Sequence, residues 1–285
     1  MNSSTPPSDR PDPSGRSVIP PIAVATAGPF FSVITVVFND RAGIERTHRS
    51  VASQSCRDFE WVIVDGASKD GTADYISNIT DPLPRWISER DKGIYDAMNK
   101  GTALATGRYV VYMNGGDCFA DADCLRDVRM TLEAAGNPDL CYAGCHYRFE
   151  DGSVRNRPPR PLESSIRHGI PAVHQASFFR REGLDTPPYD LRYRVSSDYY
   201  ISARYFLKGA TACYLKRPVA EFGVGGNSMK HAQASLVECW NLQRDVLHLS
   251  LPARCWSAAR RYLAHRALEF LHWRRSARPT PVSAA

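Results

Sequence analysis

The stretch DKGIYDAMNKGTALATGRYVVYMNGGD, residues 91–117, decides how this chain folds. Its first half sets Ile94, Ala97, Met98, Leu104 and Ala105 at helical spacing, and Gly107 supplies a stop. RYVVYM (108–113) follows as a run of aromatic and β-branched residues, the composition of a buried strand. The same alternation recurs towards the amino terminus. FFSVITVVF (30–38) reads as a strand, RAGIERTHRSVASQS (41–55) as a helix, WVIV (61–64) as a strand, about 70–79 as a helix and RWIS (85–88) as a short strand. A β-α-β-α series of this kind predicts an α/β fold with a mostly parallel central sheet flanked by helices on both faces.

The second half is less regular. The pattern predicts a helix near 121–135, short strands at about 139–147 and 153–157 around the turn EDG, a strand at HQASFFRR (174–181), a helix at SSDYYISARYFLKG (196–209) and an edge strand at TACYL (211–215).

Each of the first four strands ends in polar residues. Asn39 and Asp40 follow the first, Asp65, Ser68 and Asp70 the second, Glu89, Arg90, Asp91 and Lys92 the third, and Asn114 and Asp117 the fourth. In a parallel sheet all of these lie along the carboxyl edge, where open α/β folds bind ligands. Asp70 is equally suited to starting the next helix. The edge lacks G-x-G-x-x-G after its first strand, which reads FNDRAG, and the chain has no P-loop. A diphosphate beside these acids therefore needs a divalent metal, or the acids must serve bases and hydroxyls.

The chain has 285 residues with a net charge of +6. Residues 1–29, rich in Pro, Ser and Gly, read as a disordered tail; 30–225 form one domain; 226–285 form a basic helical extension. No secretory leader pattern and no apolar run of about 18 residues is present, so the expected location is cytoplasmic. The eight scattered cysteines lack paired metal-site spacing and read as reduced thiols. Residues 254–275 hold six arginines against Glu269, with Trp256, Leu263, Ala267, Phe270 and Leu271 at roughly helical spacing. Such a helix can lie peripherally on an anionic membrane surface or cover the body of the domain. No nucleic-acid signature accompanies it.

The segments SVITVVFN, SVASQSCRDFEWVIVDGASKDGT, SERDKGIYDAMNKGTALATGRYVVYMNGGD, HQASFFRR and SSDYY together resemble the family 2 glycosyltransferases of GT-A fold. The likeness covers about residues 31–225 and is nearest to the branch that builds exopolysaccharide or lipid-linked repeat units, as in colanic-acid-type transferases. It implies a nucleotide-diphosphate sugar as donor, UDP being the commonest nucleotide, and a glycan or polyprenyl-linked saccharide as acceptor.

Carried over, the resemblance makes Thr35, Val37 and Asn39 the wall of the nucleotide pocket and Asp65 the carboxylate that reads the base. Asp91 lies beside the ribose and diphosphate, and Lys92 is a nearby cation. Where many relatives have D-x-D, this chain has NGGD, so Asp117 alone would anchor Mg²⁺ or Mn²⁺ beside Asn114. His174 is either a second metal ligand or donor contact, or a hydrogen-bonded core residue. Arg180 or Arg181 would meet the leaving diphosphate, since strand alternation lets only one face it. Asp198 matches the catalytic acid of the family, the base for an inverting displacement; otherwise it is an acid favouring a helix start. The eroded D-x-D also leaves open a non-catalytic sugar-nucleotide or glycan binder, while a nucleotidyltransferase would need an anion-binding first loop that FNDRAGIER does not provide.

Overall fold

The computed structural model of the protein describes residues 28–149, 152–223 and 232–276, with backbone alone at 232, 264–265 and 267–276. The expected N-terminal tail before residue 28, two residues of the EDG turn, the join between domain and extension near 225, and residues 277–285 lie outside the described residues.

The first half follows the predicted alternation: β1 (Phe31–Val37), α1 (Arg41–Ala52), β2 (Phe59–Asp65), α2 (Thr72–Ser77), β3 (Arg85–Ser88), α3 (Ile94–Leu104) and β4 (Tyr109–Tyr112). β1 lies between β2 and β4, with β3 outside β2, and all three pairings are parallel. Beyond β4 come β5 (Cys118–Phe119), α4 (Cys124–Ala134), β6 (Leu140–Arg148), β7 (Val154–Arg157), α5 (Leu162–Ser165), β8 (Ser177–Arg180), α6 (Ser197–Leu207), β9 (Ala212–Gly223), α7 (Ala232–Asp245) and α8 (Leu251–Ser276).

Among the described residues the strands form one sheet in the order β3-β2-β1-β4-β8-β6-β9-β5, with β7 attached to β6. The parallel arrangement is confined to the first four strands and the β6–β9 pair. β8 runs antiparallel to both β4 and β6, and β5 and β7 are also antiparallel to their partners.

Two strand expectations need correction. HQASFFRR begins with a 3-10 turn over His174–Ala176, so only Ser177–Arg180 is strand. TACYL is not an edge strand: it starts the twelve-residue β9, which lies between β6 and β5. Pro218 cannot donate to a ladder, and β9 tolerates it at an irregularity where the β6 register shifts on either side of Gly144.

Side chains of β1 alternate between two cores. Phe31, Val33 and Val37 join Ile44 and Val51 of α1, Ile76 of α2 and Leu125, Val128 and Leu132 of α4. Ile34 and Val36 join Ala97 and Met98 of α3, Tyr199, Ile201 and Tyr205 of α6, and Cys239 and Leu242 of α7. The extension thus completes the second helical layer. α8 docks on α7 through Gln243 and the buried Ser257 hydroxyl (2.7 Å) and through Arg254 over the Trp240 ring. Of its candidate apolar positions, Trp256 and Leu263 are exposed; the side chains of Ala267, Phe270 and Leu271 lie outside the described residues.

Candidate active site

Three strand ends stand in one row, with Val37 opposite Asp65 and Asp65 opposite Ser88. The fourth joins them, since the Gly115 N–H donates to the Val36 carbonyl (2.9 Å). The loop after β2 is tied to this row by Asp65, which is fully buried. Its carboxylate accepts the Ser68 N–H (3.0 Å), the Ser68 hydroxyl (2.5 Å) and the Ser88 hydroxyl (2.6 Å). Asn39 has left-handed backbone, with φ 47°, and bridges to the same loop. Its N–H donates to Ser68 Oγ and its side-chain carbonyl accepts the Lys69 N–H. Asp70 accepts from the Arg41 N–H and from the N–H and hydroxyl of Thr72, and the Thr72 hydroxyl is the leading cause of its lowered pKa. Asp70 therefore fastens the loop to α1 as well as starting α2.

Asp91 reaches this loop from the far side of β3. A Cβ on Gly66 would come within 2.8 Å of Asp91 Oδ2 and 3.0 Å of the Phe38 ring, so glycine makes that approach possible. Lys92 is exposed next to it. Phe38, which the sequence reading passed over, is 63% exposed at the mouth of the row. An aromatic residue directly after a buried strand was the signal for it.

The NGGD turn closes the row. A Cβ on Gly115 would lie 2.9 Å from Val37 Cγ2, and Gly116 takes φ +92°, so both positions are built for glycine. Thr47 of α1 pins the turn from below. Its hydroxyl reaches the Asn114 and Asp117 carbonyls and accepts the Gly116 N–H. Asp117 Oδ2 accepts the Gln175 amide (2.7 Å), and burial pushes its pKa up to about 6 against the opposing effects of Gln175 and Arg46. Asn114 Oδ1 is buried without a hydrogen-bond partner.

That orphan oxygen beside a carboxylate suits a divalent cation. Among the described residues no group of three His, Cys, Asp or Glu could chelate one. The donor set therefore fits a hydrated ion that takes its remaining ligands from water and phosphate.

The reversal of β8 decides three other expectations. Its start, at Gln175 and Ser177, lies by the carboxyl edge of β4, and its end pairs Arg180 with Tyr109 at the opposite edge. Arg180 there stacks on Tyr109 and faces Asp139, while Arg181 Nε donates to the Gly107 carbonyl. Neither arginine stands at the carboxyl edge, so the diphosphate expectation for them is corrected. His174 is buried, stacks on Tyr112 with ring centroids 4.7 Å apart and bonds through Nε2 to the Tyr189 hydroxyl (2.5 Å). Burial pushes its pKa down to about 3, and of its two open readings the structure corrects the metal ligand to the core residue. Its chain neighbour Gln175 is the one that touches Asp117. Thr35 also leaves the pocket wall: it is fully buried, with its hydroxyl taken by Trp61 Nε1 and the Met113 carbonyl. Val37, 7% exposed, packs beneath the NGGD turn.

Asp198 enters from α6. The Tyr95 hydroxyl, at the start of α3 and hence on the carboxyl-edge side, donates to the Val195 carbonyl (2.9 Å) and ties the turn before Asp198 to this edge. Asp198 Oδ1 accepts its neighbour's N–H at Tyr199 (2.8 Å). Its side chain is only partly exposed, and burial pushes its pKa up to about 6. The rings of Tyr95, Tyr189, Tyr112 and His174 stack or meet edge to face between this turn and β4. Asn99 of α3 holds both the N–H and the carbonyl of Tyr189.

A parallel half-sheet with an acidic carboxyl edge, extended by a mixed half, is the architecture of nucleotide-sugar transferases of GT-A fold. The sequence pattern of glycosyl transferase family 2 matches residues 32–207, and the chain belongs to that family. It is 36% identical over 209 residues to a PGL/p-HBAD biosynthesis glycosyltransferase of Mycobacterium tuberculosis, covering 70% of this chain and 79% of the relative. It is 24% identical to the putative teichuronic acid biosynthesis glycosyltransferase TuaG of Bacillus subtilis, over 80% and 92% of the two chains. Among solved structures, its fold is similar to that of S. aureus TarS 1–349 in complex with UDP (TM-score 0.60, 15% identity, 83% of this chain and 72% of that one). It is similar also to the mannosyltransferase PcManGT of Pyrobaculum calidifontis in complex with GDP-Man and Mn²⁺ (TM-score 0.58, 20% identity, 90% and 78%).

Proposed function

We propose that the protein is an inverting glycosyltransferase that moves a sugar from a nucleotide diphosphate, UDP first among the candidates, to a hydroxyl of a glycan or polyprenyl-linked saccharide. The observation that carries this reading is Asp198, a partly exposed carboxyl with a pKa of about 6 in the first turn of α6, just beyond the segment that Tyr95 ties to the carboxyl edge. A base with a pKa close to the operating pH is well matched to proton transfer.

In this reading the base of the donor stacks on Phe38, an exposed flat ring, and Asp65, Asn39 and Asp91 shape the pocket around base and ribose. Asp65 acts chiefly through the loop it holds, because its carboxylate already accepts three bonds. The acceptor hydroxyl attacks the anomeric carbon while its proton passes to Asp198 Oδ. The anomeric C–O bond to the diphosphate breaks in the same displacement, the electron pair leaves with the nucleoside diphosphate, and the configuration inverts. Asp117, with Asn114 Oδ1, would hold Mg²⁺ or Mn²⁺, which when bound supplies positive charge to the diphosphate. Lys92 is an exposed cation at the same edge.

Two named relatives act in the biosynthesis of PGL/p-HBAD and, putatively, teichuronic acid, which favours a polysaccharide or glycolipid acceptor. Among the described residues no helix is long and apolar enough to cross a membrane. α8 exposes Trp256, Tyr262 and Leu263. Near it, Arg160, Arg167, Arg260 and Arg261 surround His168, and together with burial, the leading cause, they lower its pKa. Peripheral contact with an anionic membrane surface from the cytoplasmic side is the proposed use of that face.

The test is release of nucleoside diphosphate from UDP-glucose, UDP-N-acetylglucosamine and GDP-mannose with Mn²⁺ present. A donor that binds and stabilises the protein yet yields no nucleoside diphosphate with any acceptor extract or water would overturn transfer in favour of a sugar-nucleotide binder, the reading that Asn114 and Gly116 in NGGD favour.

A further inference from the structure

We propose that Glu238, on α7 in the C-terminal extension, is a positioning residue for glycosyl transfer, holding the turn that delivers Asp198 to the site. The proposal rests on Asp198 being the base.

The Glu238 carboxylate accepts three consecutive backbone N–H groups: Arg194 at 2.8 Å through Oε1, and Val195 at 2.9 Å and Ser196 at 2.8 Å through Oε2. These residues form the approach to α6. A helix start leaves N–H groups without partners, and the residue before the helix commonly supplies an acceptor. Ser196 occupies that position and makes no such bond. Its hydroxyl instead meets Ser235 Oγ (3.2 Å) and Cys239 Sγ (3.5 Å), both on α7. An acid from a distant helix thus serves the turn before α6, where negative charge also favours the helix dipole.

The clamp acts from one side only. From the other, the Tyr95 hydroxyl donates to the carbonyl of Val195, the same residue whose N–H goes to Glu238. The turn is therefore held between α3, part of the donor-binding half, and α7, part of the extension. Asp198 lies two residues beyond it. With hydrogen bonds on both polar groups of Val195, the backbone that sets the direction of the Asp198 side chain has little freedom. Placement of a reacting group within about 1 Å is the kind of constraint on which turnover depends steeply.

Glu238 also shapes the charge around Asp198. The ionisable groups bearing on that carboxyl are Tyr95 from α3, Tyr189 from the segment after β8, Glu238 and Cys239 from α7, and Arg261 from α8. Burial is the main cause of the raised pKa; Glu238 adds to it and Arg261 opposes it. Removing the Glu238 charge while keeping its shape should therefore lower the pKa of Asp198, an effect that a purely structural contact would not have.

The experiment compares wild type, Glu238→Gln, Glu238→Asp and Asp198→Asn as full chains. Carbon-13 NMR follows the carboxyl titration of Asp198, amide exchange follows residues 194–196, UDP with Mn²⁺ probes donor-site binding, and nucleoside diphosphate release gives turnover. For Glu238→Gln the expected results are faster exchange at Arg194, Val195 and Ser196, a lower Asp198 pKa, UDP affinity within about twofold of wild type, and turnover reduced by about 10- to 10²-fold. Glu238→Asp keeps the charge but shortens the reach, so it should return the titration towards wild type while exchange stays fast. Unchanged exchange and titration in Glu238→Gln would overturn the proposal, as would a lower melting temperature with turnover per folded molecule intact. Near-normal turnover in Asp198→Asn would instead sink the base assignment; exchange and titration would still report on the clamp.

Discussion

Replacing Asp198 by Asn should make the protein more stable and almost inactive. Burial raises the pKa of Asp198 from 3.8 to about 6. A rise of about two pH units, at ~1.36 kcal/mol each, makes the ionised carboxylate cost close to 3 kcal/mol of folding free energy. The side chain is partly exposed, and solvent screening reduces this to about 1–3 kcal/mol. The sign follows from proton binding. Between about pH 4 and pH 6 the folded chain holds a proton on Asp198 that the unfolded chain has released, so stability falls as pH rises through that window and stays low above it. Asn does not ionise, and its side-chain oxygen can still accept the Tyr199 N–H. The variant should therefore melt above wild type by about 3–10 °C at pH 8, with the gap closing towards pH 5. Asp117 has a raised pKa in both proteins, so its contribution cancels. Turnover should fall by about 10²- to 10⁴-fold with donor affinity unchanged. Melting curves from pH 5 to 8, donor titration and nucleoside diphosphate release on the same preparations supply the check. A variant that melts lower than wild type and still transfers sugar at a near-normal rate would refute the reasoning and leave Asp198 as an acid that merely favours its helix.

Asp65→Ala should weaken donor binding more than chemistry and also lower the melting temperature. It strands one N–H and two hydroxyls, each costing about 1–3 kcal/mol where water cannot reach; an unchanged melting temperature would show that the loop does not depend on them. Arg180→Ala should leave donor KM and kcat within about twofold, because Arg180 lies at the amino edge of β4, and a KM rise above about tenfold would put it back at the diphosphate. Activity should require Mg²⁺ or Mn²⁺, and Mn²⁺ binding in the presence of UDP, read by electron paramagnetic resonance, should weaken as pH falls through about 6 and Asp117 takes up a proton; full activity after exhaustive EDTA dialysis would refute this. Co-sedimentation with phosphatidylglycerol vesicles should exceed that with phosphatidylcholine and fall on adding salt or on Arg260→Glu, whereas equal binding to both lipids would remove the membrane face.

The parallel half of the sheet was legible because its strands are short apolar runs bounded by turn formers, and its helices carry one apolar face. β9 was half-legible. Its continuation KRPVAEFG contains Pro218, which argues against a strand locally, and only the irregular pairing with β6 accommodates it. The sense of β8 was not legible at all, because pairing direction depends on distant partners, and that sense alone sends Arg180 to one edge and Gln175 to the other. Asp65, Asp91, Asp117 and Asp198 stood out as acids at strand or helix ends. Thr47, Gln175 and Glu238 carried no such mark: each acts through a partner 42 or more positions away, and Thr47 and Gln175 are uncharged.

Because β8 is so short and runs against its neighbours, it fixes the spacing between Gln175 at one edge of the sheet and Arg180 at the other. From Ser177 to Arg180 the strand spans about 10 Å, at ~3.4 Å per residue, and the 3-10 turn before it holds Gln175 by the other edge. Removing one residue from 177–179 would turn every side chain before it to the opposite face and withdraw the Gln175 amide from Asp117. After Arg181 the chain is tied again, by Lys208 donating to the Gly183 carbonyl, by Asp185 paired with Arg204 and Lys208, and then at Tyr189, which Asn99 holds at both backbone groups. Room to lengthen is thus confined to the exposed pair Thr186 and Pro187, between those ties and Tyr189, and the acid turn keeps its partner unchanged.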